Sequence, residues 1–152
     1  MTIHPDFTID DRRAWMAVLA RAGAQPLRDA LATAPALPVW QRLRGPETGL
    51  IMLRGRAGGD GSAFNLMETT ATRCTVTMQG GGMGHATILG RDAEHAELAA
   101  AIDAGLQLPA LRTALLRHVV EPLAEAQCRD RDIQARRAAA TRVQFFTLAA
   151  MR

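Results

Sequence analysis

Arginine, glycine and carboxylate residues recur between positions 44 and 92 more densely than a hydrophobic core requires. Arg54 and Arg56 flank a single glycine, so in a β-strand both side chains leave the same face. Two guanidinium groups on one face can clamp a phosphate, phosphonate or carboxylate, because each presents a planar fork of donors. The pattern predicts an anion-binding or partner-binding surface, and the alternative is a pair of solvated or ion-paired arginines at a strand end.

The loop after these arginines is rich in glycine, with the sequence Gly58-Gly59-Asp60-Gly61. Successive backbone N–H groups in such a loop can wrap a phosphate, whereas the alternative is an ordinary flexible turn. The loop lacks the lysine of a Walker motif, and it does not open a helix with a G-x-G-x-x-G pattern. On its own it therefore does not predict a nucleotide-binding fold.

Other polar residues nearby could serve either a ligand or the fold. Glu47 lies in turn-like sequence three residues after Arg44, which favours a structural ion pair between them. Asn65 and Glu68 stand beside apolar residues and would need hydrogen-bond partners if buried; an ion pair of Glu68 with Arg73 is the alternative. The residues predicted to bind a ligand or a partner are Arg44, Glu47, Arg54, Arg56, Gly58, Gly59, Asn65, Glu68, Arg73, His85, Arg91 and His95.

Two histidines flank the turn Gly90-Arg91-Asp92, so His85 and His95 are both expected near the same end of a sheet. There they could act as acid, base or hydrogen-bond donor, although a structural histidine is the more common case. No Ser/His/Asp order, paired carboxylates or metal-ligand triad stands out. The sequence therefore predicts no metal site, assigns no catalytic residue and gives little support to independent hydrolase chemistry.

The composition predicts one basic domain spanning residues 1–152. All 18 basic residues are arginine and the formal net charge is +3, with a pI near 10.0. Acidic residues interrupt the arginines and only 4% of residues are aromatic, which argues against a nucleic-acid partner. Cys74 and Cys128 lie outside zinc or disulfide spacing. With no export signal and no apolar span of ~20 residues, a reduced, cytoplasmic protein with no membrane partner is expected.

Hydrophobic spacing predicts helices first and strands afterwards. Asp10 is expected to cap a helix that runs to about Ala22 and ends at Gly23, and a second short helix carries Pro26 in its first turn. From Val39 the period becomes strand-like. Residues 50–53 are apolar on both faces and predict a buried strand, and residues 69–78 alternate cleanly. Three glycines at 80–82 predict a tight reversal into a return strand at 83–89.

The second half of the chain predicts further helices. Asp92 is expected to cap an alanine-rich helix, and Pro109 to open another that runs through Val120. Pro122 would interrupt before a basic helix to about Ala140, and residues 143–148 would form a last strand that rejoins the sheet. The predicted fold class is α+β: an antiparallel meander plus a C-terminal strand, packed with N-terminal, central and C-terminal helices.

Some apolar and small residues predict an association surface. These are the small-residue helix face at 96–101, the stripe of Leu108, Leu111 and Leu115, and the adjacent pair Phe145 and Phe146. Neighbouring residues of a strand point to opposite faces, so the two phenylalanines need two separate covers. A helix of the same chain, a partner subunit or a second copy could supply the second one. A stable heteromeric complex is the favoured expectation, with an isolated chain that self-associates or exposes an apolar interface.

Several blocks in this order resemble one known family over nearly the whole chain. They include Arg44-Gly45-Pro46-Glu47-Thr48-Gly49, Arg54-Gly55-Arg56, Phe64-Asn65-Leu66, Thr72-Arg73-Cys74, Gly90-Arg91-Asp92 and the closing Phe145-Phe146-Thr147. In combination they resemble the PhnG subunit of the bacterial carbon-phosphorus lyase system, which acts in phosphonate utilisation.

The resemblance implies a part in α-D-ribose 1-methylphosphonate 5-triphosphate synthase, a transferase in which an alkylphosphonate displaces adenine from MgATP at the ribose C1. It implies a core complex with PhnH, PhnI and PhnJ, in which the chemistry is usually assigned to PhnI. A required subunit that is inactive alone and binds no cofactor itself is therefore expected. The alternative is a non-catalytic scaffold whose arginines bind partners.

The sequence departs from the family pattern in two places. Met67 stands where glycine is expected, which puts a close backbone approach at residue 67 in doubt. After Phe146-Thr147 the chain reads Leu-Ala-Ala-Met-Arg where a Val-Arg-Gly-acid ending is expected. The second departure weakens any functional claim for the extreme C-terminus.

Overall fold

The computed structural model describes residues 9–58 and 60–142. Its strands form one antiparallel sheet in the order β1-β2-β3, which confirms the predicted α+β meander. The predicted strand at 143–148 lies outside the described residues. None of the helices in the described part is long and apolar enough to cross a membrane. The elements are α1 (Ile9–Ala22), α2 (Ala24–Ala32), β1 (Trp40–Arg56), β2 (Ala63–Met78), β3 (Met83–Leu89), α3 (Ala93–Gln107), α4 (Pro109–Leu115), a π-helical turn (Leu116–Val120) and α5 (Glu121–Ala140).

The two N-terminal helices follow their local signals. Trp15 and Leu19 are buried on the predicted face of α1, and the backbone turns at Gly23, whose φ of 85° lies in the left-handed region. Leu27 is fully buried on α2. The prediction that Asp10 caps α1 is wrong by a small margin, since Asp10 lies inside the first turn. A carboxylate there is favourable because it faces the positive end of the helix dipole.

Among the described residues, the sheet has one covered face and one open face. Cys74, Val76 and Met78 of β2 are buried on the face that packs against α3, as their alternation predicted. Gly80 and Gly81 make the predicted reversal with φ values of 97° and 103°, a conformation that glycine adopts at little cost. β3 then pairs with residues 71–77 of β2 only.

Beyond β3, the longer strands β1 and β2 continue as a two-stranded β-arm, formed by residues 50–56 and 63–70. The prediction that residues 50–53 form a buried strand is wrong, because Leu50 and Met52 are 66% and 48% exposed. The apolar run did indicate a strand, but α3 packs on the part of the sheet that contains β3. Among the described residues, the β-arm therefore lacks a covering layer.

Helix α3 lies at the centre of the core. Asp92 caps it as predicted, with its side chain accepting from the backbone amide of His95 at 2.9 Å. The small-residue face at 96–101 was predicted to be an association surface, and this is wrong, since it is buried against the chain's own sheet. Gly84 explains the close packing, because a Cβ at that position would collide with the carbonyl oxygen of Ala100.

The helices after α3 form a nearly continuous rod. Leu115 is buried and Leu108 and Leu111 pack against the core, so the predicted stripe is internal and is not an association surface. The prediction that Pro122 interrupts the helix is wrong, because Pro122 lies in the first turn of α5. A π-helical turn precedes it, in which the amide of Glu121 bonds the carbonyl of Leu116. Such wider turns accommodate a disruption of the ordinary helical ladder.

Asp103 is a fully buried carboxylate in the middle of α3. Its Oδ1 accepts hydrogen bonds from Trp15 Nε1 at 2.9 Å and Arg12 Nε at 3.2 Å. Its Oδ2 accepts from Arg12 Nη2 at 2.6 Å and from the backbone amide of His85 at 2.9 Å. A buried charge is tolerated only when it is paired and hydrogen-bonded, so Asp103 requires α1, β3 and α3 to be docked together.

A second ion pair joins β1 to α3. Glu97 accepts from Arg42 Nε at 2.9 Å and Nη2 at 2.6 Å, and from Trp40 Nε1 at 3.3 Å. The hydrogen bond from Arg42 is the main cause that holds the pKa of Glu97 below its ordinary value; partial burial acts in the opposite direction, and Trp40 adds to the lowering. Sequence reasoning did not predict this ion pair.

Replacing Asp103 with alanine should lower the free energy of unfolding by about 3 kcal/mol, because three donor groups lose their buried acceptor. Urea unfolding followed by tryptophan fluorescence measures the loss. Asp130→Ala, an exposed aspartate on α5, is the matched control and should change stability by no more than about 0.5 kcal/mol. Similar stabilities for the two variants would contradict the central role of Asp103.

The Glu97 carboxylate should stabilise the fold in a pH-dependent way. Because its folded-state pKa is lowered, its contribution is full above the unfolded-state value of about 4.3 and is lost as the pH falls through the folded-state value. The gap in unfolding free energy between wild type and Glu97→Gln should therefore shrink from pH 7 to pH 3 in urea unfolding. Glu125 is exposed and makes a looser ion pair with Arg129, at 3.8 Å. The difference in unfolding free energy between wild type and Glu125→Gln should therefore be smaller at every pH. A gap for Glu97→Gln that is as large at pH 3 as at pH 7 would refute the assignment.

Candidate functional site

Four of the predicted residues lie together on the open face of the sheet. Strand register places Arg44 opposite Thr75, which in turn lies opposite His85. The neighbouring row places Glu47 opposite Arg73. We call these five residues, Arg44, Glu47, Arg73, Thr75 and His85, the open-face cluster. Their side chains share one face because directly paired residues point the same way.

Glu47 is the centre of the open-face cluster. Its Oε1 lies 2.6 Å from Arg44 Nη2 and 3.5 Å from Arg73 Nη2. The predicted ion pair of Glu47 with Arg44 is confirmed. Arg73, for which an ion pair with Glu68 was the alternative, approaches Glu47 instead. Oε1 is sealed from solvent, and among the described residues it has no aligned hydrogen bond despite these short contacts. The two arginines are more than half exposed, so each pair adds little stability.

His85 occupies the outer strand of the cluster. Its Nδ1 lies 3.1 Å from the Thr75 hydroxyl, and its ring is exposed. An open groove of about 500 Å³ lies beside it, lined by Arg12, Arg13, Met16 and His85. Arg12 is already bound to Asp103, so the groove offers one exposed arginine and one imidazole for a ligand.

A second group of predicted residues lies on the β-arm. Arg54 pairs across the strands with Asn65, and Met52 pairs with Glu68. Strand alternation therefore puts Arg54, Arg56, Asn65 and Glu68 on one face, as predicted for the two arginines. We call this face, together with Leu50 and Met52, the arginine face of the β-arm.

The loop at the tip of the β-arm is tied to this face. Arg56 Nη1 donates to the carbonyl of Gly61 at 2.9 Å, and the amide of Gly61 donates to the carbonyl of Ala57 at 3.1 Å. Gly58 has a φ of 65°, which favours glycine there. Gly59 lies outside the described residues. Arg56 thus supports the loop as well as facing solvent, and phosphate wrapping by this loop stays a prediction.

The opposite face of the β-arm is apolar, and sequence reasoning missed it. Phe64, Leu66 and Met67 are 45%, 57% and 56% exposed. A register shift between Leu53 and Arg54 adds one residue to β2 at this point, which lets neighbouring apolar side chains share a face. The apolar face consists of Ile51, Leu53, Phe64, Leu66 and Met67. Its signal in the sequence was two apolar runs at matching distances from the glycine-rich loop.

His95 and Arg91 do not join these groups. His95 is buried, and its Nε2 lies 2.8 Å from the carbonyl of Leu19 and 3.3 Å from the amide of Gly23. That nitrogen can satisfy only one of the two, since one contact needs a proton on it and the other a lone pair. His95 therefore contacts the backbone at the C-terminal end of α1, while His85 lies on the open face. Arg91 is exposed in the turn before α3.

The described residues show little sign of nucleophile or metal chemistry. Burial, followed by the nearby Glu97 carboxylate, raises the pKa of the Cys74 thiol, so it stays protonated and unreactive at neutral pH. Cys128 is exposed and unpaired with Cys74. No group of three or more metal-ligating side chains occurs in the described part of the chain. The geometry favours recognition of anions or proteins by arginine and apolar surfaces.

Comparison with known proteins identifies the family of the chain. Residues 10–150 match the family of phosphonate metabolism protein PhnG. A similar protein is the α-D-ribose 1-methylphosphonate 5-triphosphate synthase subunit PhnG of Rhizobium meliloti (strain 1021), which is 41% identical over 143 residues, covering 94% of this chain and 91% of the relative. The chain therefore belongs to the PhnG family of phosphonate metabolism proteins.

Proposed function

We propose that this chain is a subunit of α-D-ribose 1-methylphosphonate 5-triphosphate synthase in phosphonate catabolism. Family membership and the name of the similar Rhizobium meliloti protein support the proposal. In the reaction, an oxygen of an alkylphosphonate forms a bond to the ribose C1 of MgATP, and adenine leaves from that carbon. MgATP is thus a substrate of the whole complex, and this chain holds no cofactor of its own.

The exposed β-arm is the observation that carries the subunit assignment. A two-stranded ribbon is marginally stable alone in water, and this one exposes apolar side chains on both faces. An exposed apolar patch on a protein surface commonly marks an interaction site. We infer that the apolar face of the β-arm is covered by another subunit of the complex, and that PhnH, PhnI and PhnJ are the partners.

The arginine face serves this complex in one of two ways. In the first, Arg54 and Arg56 bind the triphosphate or the phosphonate at a site shared with another subunit, since guanidinium groups match both anions. In the second, they bind carboxylates of a partner, and the chain is a non-catalytic scaffold. The second use is favoured by the exposure of the β-arm, which provides no enclosing walls among the described residues.

Polar substitutions on the apolar face should weaken assembly. Leu66→Gln with Met67→Gln should reduce capture of PhnH, PhnI and PhnJ at least tenfold in a pull-down, because the partner loses two buried apolar contacts. Val39→Gln with Leu43→Gln, which changes two exposed apolar residues outside the β-arm, is the matched control and should leave capture intact. Unchanged capture by the first variant would remove the β-arm from the interface, and failure of the wild type to capture any subunit would defeat the assignment itself.

Replacing Arg54 and Arg56 with alanine should impair the complex more than the fold. Both side chains are exposed, so the free energy of unfolding should change by about 0.5 kcal/mol or less per residue. Adenine release from MgATP and methylphosphonate by the reconstituted complex should fall at least tenfold, and the isolated chain should release none above background. Arg117→Ala with Arg131→Ala, two exposed helical arginines outside the β-arm, is the control.

The same experiment separates the two uses of the arginine face. Normal assembly with slow adenine release indicates anion binding, whereas failed assembly indicates partner binding. Extensive unfolding of the variant would mean that Arg54 and Arg56 serve the fold. Adenine release by the pure chain would make it an enzyme in its own right.

A further inference from the structure

The C-terminal half of α5 extends beyond the body of the protein. Gln127 makes the last hydrogen bonds to the body, donating to the carbonyl of Val18 at 2.9 Å and accepting from Arg21 Nε at 3.2 Å. Every residue from 128 to 142 is exposed. The helical part of this segment is ~20 Å long at 1.5 Å per residue. We call residues 128–142 the projecting segment.

An isolated helix of this length is marginal in water, since most helical stability in proteins comes from packing of one face. The projecting segment has no buried side chain to supply that packing. Its propensity helps, because alanine and arginine are strong helix formers, but nothing in the described chain rests against it. A segment of this kind is suited to present a surface to another molecule.

The projecting segment also carries the net charge of the protein. It contains five arginines and two aspartates, a formal charge of +3, which equals the charge of the whole chain. The rest of the chain therefore has equal numbers of arginines and acidic residues. Charge concentrated on one extension steers association with a surface of opposite sign.

Ile133 marks one side of this helix. It is 41% exposed, although it is a large apolar residue. Helical spacing places Arg129 four residues before it, and Arg136 and Arg137 three and four residues after it, on the same side. We call Ile133 and these three arginines the Ile133 patch. An apolar anchor with an arginine rim is the composition found at the centre of many protein interfaces.

We propose that the Ile133 patch docks on an acidic protein surface with an apolar pocket for Ile133, and that this surface belongs to a partner subunit of the synthase. The inference rests on the proposed function. It concerns a contact separate from that of the β-arm, since the projecting segment leaves the body next to α1, and the main contacts of α5 are with α1 and the preceding π-helical turn.

Other occupants fit the patch less well. Nucleic acid is disfavoured because Asp130 and Asp132 interrupt the arginines and the segment has no aromatic residue for stacking. A membrane surface needs a broad apolar face with residues such as Trp, Phe or Leu, and here one isoleucine stands alone. A second copy of the chain would place two positively charged segments together, and they would repel each other.

Charge reversal on the two sides of the helix tests the proposal. The patch variant is Arg136→Glu with Arg137→Glu. The control, Arg131→Glu with Arg142→Glu, makes the same charge change away from the patch, because Arg131 lies on the opposite side of the helix and Arg142 lies beyond its C-terminal end. Affinity for a mixture of purified PhnH, PhnI and PhnJ is measured for both at low and moderate salt. The patch variant should bind at least tenfold more weakly than wild type and lose most of the salt dependence, whereas the control should stay within about threefold.

A cross-link identifies the contacted surface. Ile133→Cys in a Cys128→Ser background, labelled with a photoreactive maleimide, should link to a partner peptide rich in Asp and Glu. Equal binding by the patch variant and the control would overturn this inference and leave the subunit assignment standing. No binding by wild type would overturn both. The wild type is also tested for self-association, DNA binding and binding to anionic vesicles. If the patch variant loses one of these while its subunit binding stays intact, the inference is overturned in favour of that occupant.

Discussion

The burial of one carboxylate sets the arrangement of the protein. Asp103 is fully enclosed in a core made largely of alanine, leucine and valine, so its charge is acceptable only with every nearby donor in place. Those donors come from an arginine and a tryptophan of α1 and from a backbone amide of β3. The amide reaches Asp103 because Gly84 lets α3 approach the strand closely. The β-arm and α5 project from a body that this constraint holds together.

Local sequence signals predicted the elements well where local chemistry decides them. Gly23 ends α1, Asp92 begins α3 and glycines 80 and 81 reverse the chain, as their residue types indicated. Burial was predicted less well, because it depends on what another part of the chain covers. Residues 50–53 have the composition of a buried strand, yet they extend past β3 and lie exposed. The alanine face of α3 was suited to close packing, but its partner is the chain's own sheet.

In the candidate site, too, features decided by local sequence were predicted and features that depend on distant parts of the chain were not. Strand alternation placed Arg54 and Arg56 on one face, and the three-residue spacing of Arg44 and Glu47 indicated their ion pair. The separation of His85 from His95 could not be predicted, since it depends on where the end of α1 docks. The ion pair of Glu97 with Arg42 could not be predicted, because the two residues lie 55 positions apart along the chain. Distant pairs of this kind become visible only when the register of the sheet and the position of α3 are known.

The hydrogen bonds at the outer border of β3 make the two borders of the sheet unequal. Arg12 and Gln107 donate to the carbonyl of Met83, and Asp103 accepts from the amide of His85. Side chains thus occupy backbone groups that would otherwise recruit another strand. These bonds disfavour addition of another strand at the start of β3. Open-ended fibre growth needs two receptive borders on each molecule. Because side chains already hold two backbone groups of this border, at Met83 and His85, assemblies of fixed size are favoured.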